Sequence, residues 1–156
     1  MEQRKDIGTV EDLALYRIET AKSDLKSAKI LYEANELRGA NNRAYYAIYH
    51  VVSAVHALDK KSYKRHKDAL GNFNKDYIRT EIFPKTIGRK IAGAEEIRHA
   101  SDYDDFYIAT REEAKEQIEV AEELIMIVEK YCKQRIEKDK QDITEWWNTL
   151  LVMFFC

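Results

Sequence analysis

Between Ala114 and Cys132 the residues Ala114, Ile118, Ala121, Ile125, Val128 and Cys132 recur at steps of four and three. A helix of 3.6 residues per turn collects all six on one face. The same rhythm runs through Ala14, Ile18, Ala21, Leu25, Ala28 and Tyr32. Small and large residues alternate along both stripes, so the two helices can lie lengthwise against each other at a small crossing angle. One proline and five glycines in 156 residues leave few places where helix must stop. The expected fold class is therefore all-α: an up-and-down helical bundle of four to five helices plus a short C-terminal helix.

The boundaries follow from caps and breakers. Thr9 is placed to cap a first helix running to about Leu37, and Arg38-Gly39-Ala40-Asn41-Asn42 supplies turn-forming residues before the second. That second helix, about Asn42 to Leu58, carries Ala44, Ile48, Val51, Val55 and Leu58 on one side. Tyr45, Tyr49 and Val52 keep its other side largely apolar, which predicts a central position. A shorter helix is expected from about His66 to Thr80, ending before Phe83-Pro84 because the residue preceding proline avoids helical geometry. A fourth starts at Pro84 on the stripe Ile87, Ile91, Ala94 and ends near the acidic turn Ser101 to Asp105. Thr110 with Glu113 forms a capping box for the fifth.

Two segments result. Residues 9–132 read as the bundle, and residues 133–156 as a charged helical extension with an apolar C-terminal stretch. The last seven residues are uniformly apolar but far short of the roughly 20 that span a bilayer, so no transmembrane segment is expected. Packing on the bundle or self-association is preferred to an interfacial membrane contact.

A formal charge of −2 provides no overall attraction to nucleic acid, so any such contact must come from a local patch. Lys60, Lys61, Lys64, Arg65 and Lys67 form one, readable as a solvated loop or as a phosphate contact. Cys132 and Cys156 lack metal-ligand spacing, and nothing resembles a signal peptide, so free thiols and a cytoplasmic location are expected. The chain holds no glycine-rich phosphate loop and no paired metal motif, and no cofactor or metal site is expected. Asp102, Asp104 and Asp105 match no calcium-loop spacing and read as a turn.

Chemistry is concentrated on two helices. Arg43, Tyr46, His50 and Ser53 share one face of the second helix, beside its apolar stripe. An arginine near a histidine can cleave RNA without metal, the imidazole moving the proton at the 2′ oxygen while the guanidinium stabilises phosphate charge. The same row also reads as structural hydrogen bonding under a neighbouring helix. On the fourth helix Arg98 falls on the line of Ile87, Ile91 and Ala94, where an apolar residue belongs. Asp102 sits one turn on, so Arg98 is either a structural ion pair or an anion-binding group aimed into a cleft. His66, in the basic connection, is placed to join such a cleft.

The strings Asn42-Arg43-Ala44-Tyr45-Tyr46-Ala47-Ile48-Tyr49-His50 and Arg98-His99-Ala100-Ser101-Asp102-Tyr103-Asp104-Asp105-Phe106-Tyr107 together resemble the HEPN domain family. Lys64-Arg65-His66-Lys67 and the stretch Leu15 to Leu25 support the resemblance, which covers roughly residues 10 to 132. It implies a homodimeric helical bundle, often encoded beside a small nucleotidyltransferase that acts as antitoxin. It also implies an RNA or nucleotide ligand and, in the nuclease members, an arginine followed four to six residues later by histidine. Arg98 matches that arginine, but Tyr103 stands where the histidine falls, and a phenol is a poor base at neutral pH. With the resemblance, Arg98, Arg43 and His50 become the candidate catalytic residues, and Tyr46, His66, Asp102, Tyr103 and Lys64 the candidate substrate contacts. The function implied is an RNA- or nucleotide-binding component of a prokaryotic toxin–antitoxin or defence pair, with metal-independent ribonuclease activity. The alternative is a non-catalytic binding or assembly module acting with the same partner.

Overall fold

A computed structural model describes residues 8–155. Five α-helices follow in order: α1 Val10–Glu33, α2 Leu37–Leu58, α3 His66–Phe73, α4 Lys85–Tyr103 and α5 Arg111–Phe155. One π-helical turn, Asn74–Ile78, continues directly from α3. The Thr9 side chain accepts from Asp12 N at 3.1 Å while Asp12 returns a bond to Thr9 N, so α1 starts in a complete capping box. At α5, Glu113 N donates to Thr110 Oγ1 at 3.2 Å.

Cross-helix pairs fix the directions. Lys29 meets Glu122 and Lys22 meets Glu129, so α1 and α5 run antiparallel along their length. Asn41 meets Glu113 and Asp59 meets Arg135, so α2 and α5 run parallel. Asn42 approaches Asp102 and Tyr45 lies under Arg98, so α4 opposes α2. The four long helices thus go up, down, up and down, with α3 laid across one side. α2 packs against all the others and is buried without interruption from Val51 to Leu58. Its neighbours complete the core with Ile18, Phe73, Ile87, Leu124 and Val128.

The α1–α2 turn lies earlier than the sequence predicts. Asn35, with φ 60°, takes the left-handed position, and Asn35 N to Tyr32 O (3.0 Å) and Glu36 N to Leu31 O (2.8 Å) complete a Schellman cap. Gly39, expected at that turn, lies inside α2, where a Cβ would come 3.2 Å from Leu31 Cδ1. Its role is close approach of α1 and α2. The helix expected from His66 to Thr80 changes pitch after Phe73: Arg79 N bonds to Asn74 O at 2.9 Å, and Phe73, Tyr77 and Ile78 all turn inward.

The expected short C-terminal helix is not a separate element. No glycine or proline falls between Arg111 and Phe155, and α5 runs through all 45 residues. Packing stops first: Ile136 is the last buried residue among those described, and the helix projects beyond the bundle. The apolar end therefore does not pack on the bundle. Among the described residues no helix is long and apolar enough to cross a membrane. Cys132 is a free thiol, and burial pushes its pKa up to about 12, so it is inert. Cys156 lies outside the described residues.

Candidate functional site

The outer face of α2 presents Arg43, Tyr46, Tyr49 and His50, with Asn42 and Tyr45 turned toward α4. Opposite Arg43 and His50, α1 contributes Asp24. Arg43 Nη1 donates to Asp24 Oδ1 at 3.1 Å, and His50 Nε2 lies 3.4 Å from Asp24 Oδ2. One carboxylate therefore bridges the arginine and the histidine two turns apart. The Arg43 guanidinium also lies over the Tyr46 ring, 4.7 Å from its centroid, and donates Nη2 to Asn42 Oδ1 at 2.9 Å. Ser53, the last residue of the α2 row, is buried, and its carbonyl accepts from Arg17 Nη1 at 2.7 Å.

The connection after α2 returns the chain to the middle of that helix, where His66 begins α3. Its ring stacks on Tyr49 with centroids 4.0 Å apart, and the edge of Tyr46 meets it at 5.5 Å. Tyr45 Oη lies 3.2 Å from His66 Nδ1. Tyr46 and Tyr49 also contact His50, at 6.3 and 5.7 Å between ring centroids, so the two histidines flank the same tyrosine pair.

Arg98 closes the other side. Its guanidinium lies 5.2 Å over the Tyr45 ring, and Nε is 2.9 Å from Asp102 Oδ2. The buried Nε–H is nevertheless without a hydrogen-bond acceptor, so this contact is an ion pair out of line with the donor, weaker than its length suggests. Asn42 Nδ2 approaches the second Asp102 oxygen at 3.4 Å.

Burial sets the protonation states. Both histidines are held below the ordinary value of 6.5, first by desolvation. Asp24 partly opposes this at His50, while Arg17 and Arg43 reinforce it. At His66 the Arg98 charge and His50 add to the lowering. Burial raises the Tyr45 phenol well above its normal range, so its hydroxyl stays protonated and can donate to His66 Nδ1. In the other tautomer His66 Nδ1–H donates to the Tyr45 oxygen, and Nε2 is left free to accept a proton. The arrangement offers two neutral imidazoles between two guanidiniums, with aromatic rings beneath.

The structure brings Arg43, Tyr46, His50, His66, Arg98 and Asp102 into one cluster around the outer face of α2. Tyr103 stands apart, 68% exposed and packed beside His99, because five residues along a helix rotate it well away from Arg98. Lys64 is exposed in the connection. Within the basic patch, Lys61 pairs with Asp76 at 3.1 Å and Arg65 with Asp68 at 2.7 Å. Asp104 Oδ1 accepts from Phe106 N at 2.9 Å, fixing the turn after α4.

Sequence reasoning missed Asp24 and assigned no site role to Tyr49, Tyr45 or Arg17. A signal for Asp24 was present. It lies three residues after buried Ala21 and four before buried Ala28, beside the apolar stripe on the helix's inner flank, where a charged side chain calls for a partner. Tyr49 was read only as packing; its site role depends on the fold of the following connection.

An up-and-down bundle that carries a cluster of arginine, histidine and tyrosine on its second helix defines a class of small all-α proteins. The chain belongs to the HEPN domain family, which matches residues 14–131. It is 30% identical over 120 residues to a "UPF0332 protein" of Thermotoga maritima, covering 77% of this chain and 91% of that protein. It is 32% identical over 117 residues to "Putative toxin MJ0605" of Methanocaldococcus jannaschii, covering 75% and 87% respectively. "Putative toxin MJ0142" of the same organism is 26% identical over 129 residues, covering 82% and 88%.

Proposed function

We propose that this chain is a toxin-like HEPN protein that binds single-stranded RNA at the cluster on the outer face of α2 and cleaves it without a metal ion. The observation that carries the reading is the placement of His66 against Tyr49 and Tyr46, opposite His50 and between Arg43 and Arg98.

Burial and the Arg98 charge keep His66 neutral, so with Nδ1–H held on the Tyr45 oxygen its Nε2 is available to accept the 2′-hydroxyl proton. The 2′ oxygen then attacks phosphorus and the bond to the 5′ oxygen breaks. Burial keeps His50 neutral in the free protein; beside Asp24, an incoming phosphate favours its protonation, and the imidazolium then delivers the proton that the leaving oxygen needs. The products are a 2′,3′-cyclic phosphate and a free 5′-hydroxyl. Arg43 and Arg98 stabilise the developing charge, and the tyrosine faces support bases. Tyr103 takes no part in this scheme. The names of the jannaschii relatives support a toxin-like role, and the family resemblance supports a homodimer and a nucleotidyltransferase antitoxin as partner.

The test is cleavage of a labelled RNA in EDTA by the wild type, His50→Asn and His66→Asn. Wild-type activity and a loss of about 100-fold or more in each variant is the expected result. Equal RNA integrity with all three sinks the catalytic scheme.

One observation favours a second reading, RNA or nucleotide binding without cleavage. Both arginines are already neutralised, Arg43 by Asp24 and Arg98 by Asp102, which weakens their grip on a transition-state phosphate. That reading predicts retention of RNA on the wild type with no new ends formed.

A further inference from the structure

A groove of about 690 Å³ lies apart from that cluster, between α4 and the unit formed by α3 and its π-helical turn. Its floor is aliphatic, with Leu70, Ile78 and Ile91 at the base. Gly88 keeps it deep: a Cβ there would come 3.0 Å from Ile78 Cγ2, so the two walls approach as closely as backbone permits.

The rim carries the second observation. Lys67 and Arg79 stand on one wall, Lys85 and Arg89 on the other, and all four are exposed. Among the described residues none of them makes an ion pair or a side-chain hydrogen bond. Lys22, Lys29, Lys61, Arg65 and Lys90 each hold a carboxylate, whereas Lys26, Lys60, Lys64 and Lys75 share the rim's lack of one. What sets the rim apart is that its four cations surround one apolar trough. Glu95, at the end nearer Tyr45, is the one acid lining the groove. In a chain of net charge −2, four free cations around an apolar trough form a local reversal of sign.

We infer that this groove is a docking surface for an acidic, amphipathic helical segment of a partner protein, a site separate from the cluster and standing whether or not the cluster cuts RNA. Apolar residues at positions i, i+3 and i+4 of such a helix fill the aliphatic floor, and its carboxylates meet the rim. Lys67 and Arg79 are twelve residues apart in sequence along a nearly continuous helical unit, so the cations spread over roughly 15 Å, too far for one phosphate and about three turns of helix. Nucleic acid fits less well. Phe73, the aromatic nearest the floor, is buried and offers no stacking platform for a base. Glu95 sets the polarity, with the acidic end of the partner toward Lys85 and Arg79.

The test is fluorescence anisotropy on the full chain with a labelled peptide of about twelve residues, leucines at i, i+3, i+4 and i+7 and glutamates between. Controls are a lysine-for-glutamate version and a short oligo(U). The acidic peptide should bind, weaken with salt, and lose about tenfold or more in affinity with Arg79→Glu/Arg89→Glu. Ala92→Trp, on the exposed wall, should block it sterically, while His50→Asn and His66→Asn leave it unchanged. Thermal melting confirms that the exposed substitutions preserve the fold. Equal binding of the basic peptide, indifference to the charge reversal, or displacement by oligo(U) overturns the assignment.

Discussion

His66 stacks on Tyr49 with 4.0 Å between ring centroids and 23° between planes, which joins the start of α3 to the middle of α2. The Tyr45 hydroxyl, 3.2 Å from Nδ1, holds the edge of that ring, while the stack covers its face and should govern its burial. Tyr49→Phe keeps the stack and is expected to leave cleavage intact. Tyr49→Ala opens the ring to water, and because burial is the main cause of its lowered pKa, that pKa should rise toward the ordinary 6.5. Imidazole resonances followed by NMR against pH give the shift directly. An unchanged His66 titration in Tyr49→Ala removes the stack from the account.

Asp24 holds Arg43 and His50 at once, and it should act on RNA in two opposed ways. Asp24→Asn frees the Arg43 guanidinium for phosphate, so RNA affinity should rise several-fold at low salt, with a steeper salt dependence. The same change removes the one charge that favours protonated His50, so the histidine's pKa should fall further and cleavage should slow. Tighter binding with slower turnover is the signature, read from filter binding and single-turnover rates on the same RNA. Weaker binding would mean that Asp24 only positions Arg43.

Most of the bundle was legible because helix periodicity is local. The stripe of α1 and the stripe of α5 up to Cys132 are written in consecutive residues, and the caps at Thr9 and Thr110 can be read locally, although Glu113 turns to Asn41 and only half of the expected Thr110 box forms. The cluster was half legible: Arg98 and Arg43 break apolar lines, but the Tyr49–His66 stack depends on how seven loop residues fold back, which no local pattern encodes. The α1–α2 turn was misplaced because Gly39 is the more obvious breaker, whereas Asn35 accepts the left-handed geometry and Gly39 is needed for packing. The π turn at Asn74–Ile78 left no mark in the apolar spacing.

Lys60 also ends a helix in the left-handed region, φ 56°, with Lys60 N to Ala57 O at 2.9 Å and Lys61 N to His56 O at 3.0 Å. A lysine there carries the Cβ clash that glycine avoids. Lys60→Gly should stabilise the protein by about 0.5–1 kcal/mol, a rise of about 2–3 °C in Tm. Lys60→Ala retains the clash and should give no gain, so equal melting of the two variants would refute the conformational cause.

Stability should fall with acid in two steps. His50, His56 and His66 all titrate below 6.5 in the folded chain, so between those folded values and about 6.5 the unfolded state binds more protons. Stability is therefore complete above that window and declines as pH drops through it. His56 contributes strongly: Nε2 is 2.9 Å from Ala69 O, while buried Nδ1 has no acceptor for a second proton. The second step comes lower. Arg135 and the Tyr77 hydroxyl hold Asp59 below its ordinary 3.8, and Lys133 and Lys22 hold Glu129 below 4.5. Their contribution is present above those ordinary values and lost as pH falls through the folded ones. Urea melts from about pH 8 to pH 3 should show both declines, and His56→Gln should flatten the first alone.

Beyond Ile136, α5 carries Ile143, Trp146, Trp147, Met153, Phe154 and Phe155 exposed, and the last residues are apolar on every side. Four aromatics at about 150–250 Å² each form a patch of the size that marks an interaction. The charges from Lys133 to Glu145 balance, four basic against four acidic, so no electrostatic pull toward an anionic membrane accompanies it. Self-association is the expected consequence. Because none of the described residues after Ile136 is buried, deleting residues 138–156 should leave Tm within a few degrees while abolishing concentration-dependent sedimentation. The chain's two tryptophans are Trp146 and Trp147, so intrinsic indole emission reports on this extension alone. Diluting the full chain should shift that emission to the red as the helices part. Constant emission together with monomeric sedimentation at high concentration would show that the projecting helix does not bind its own copy.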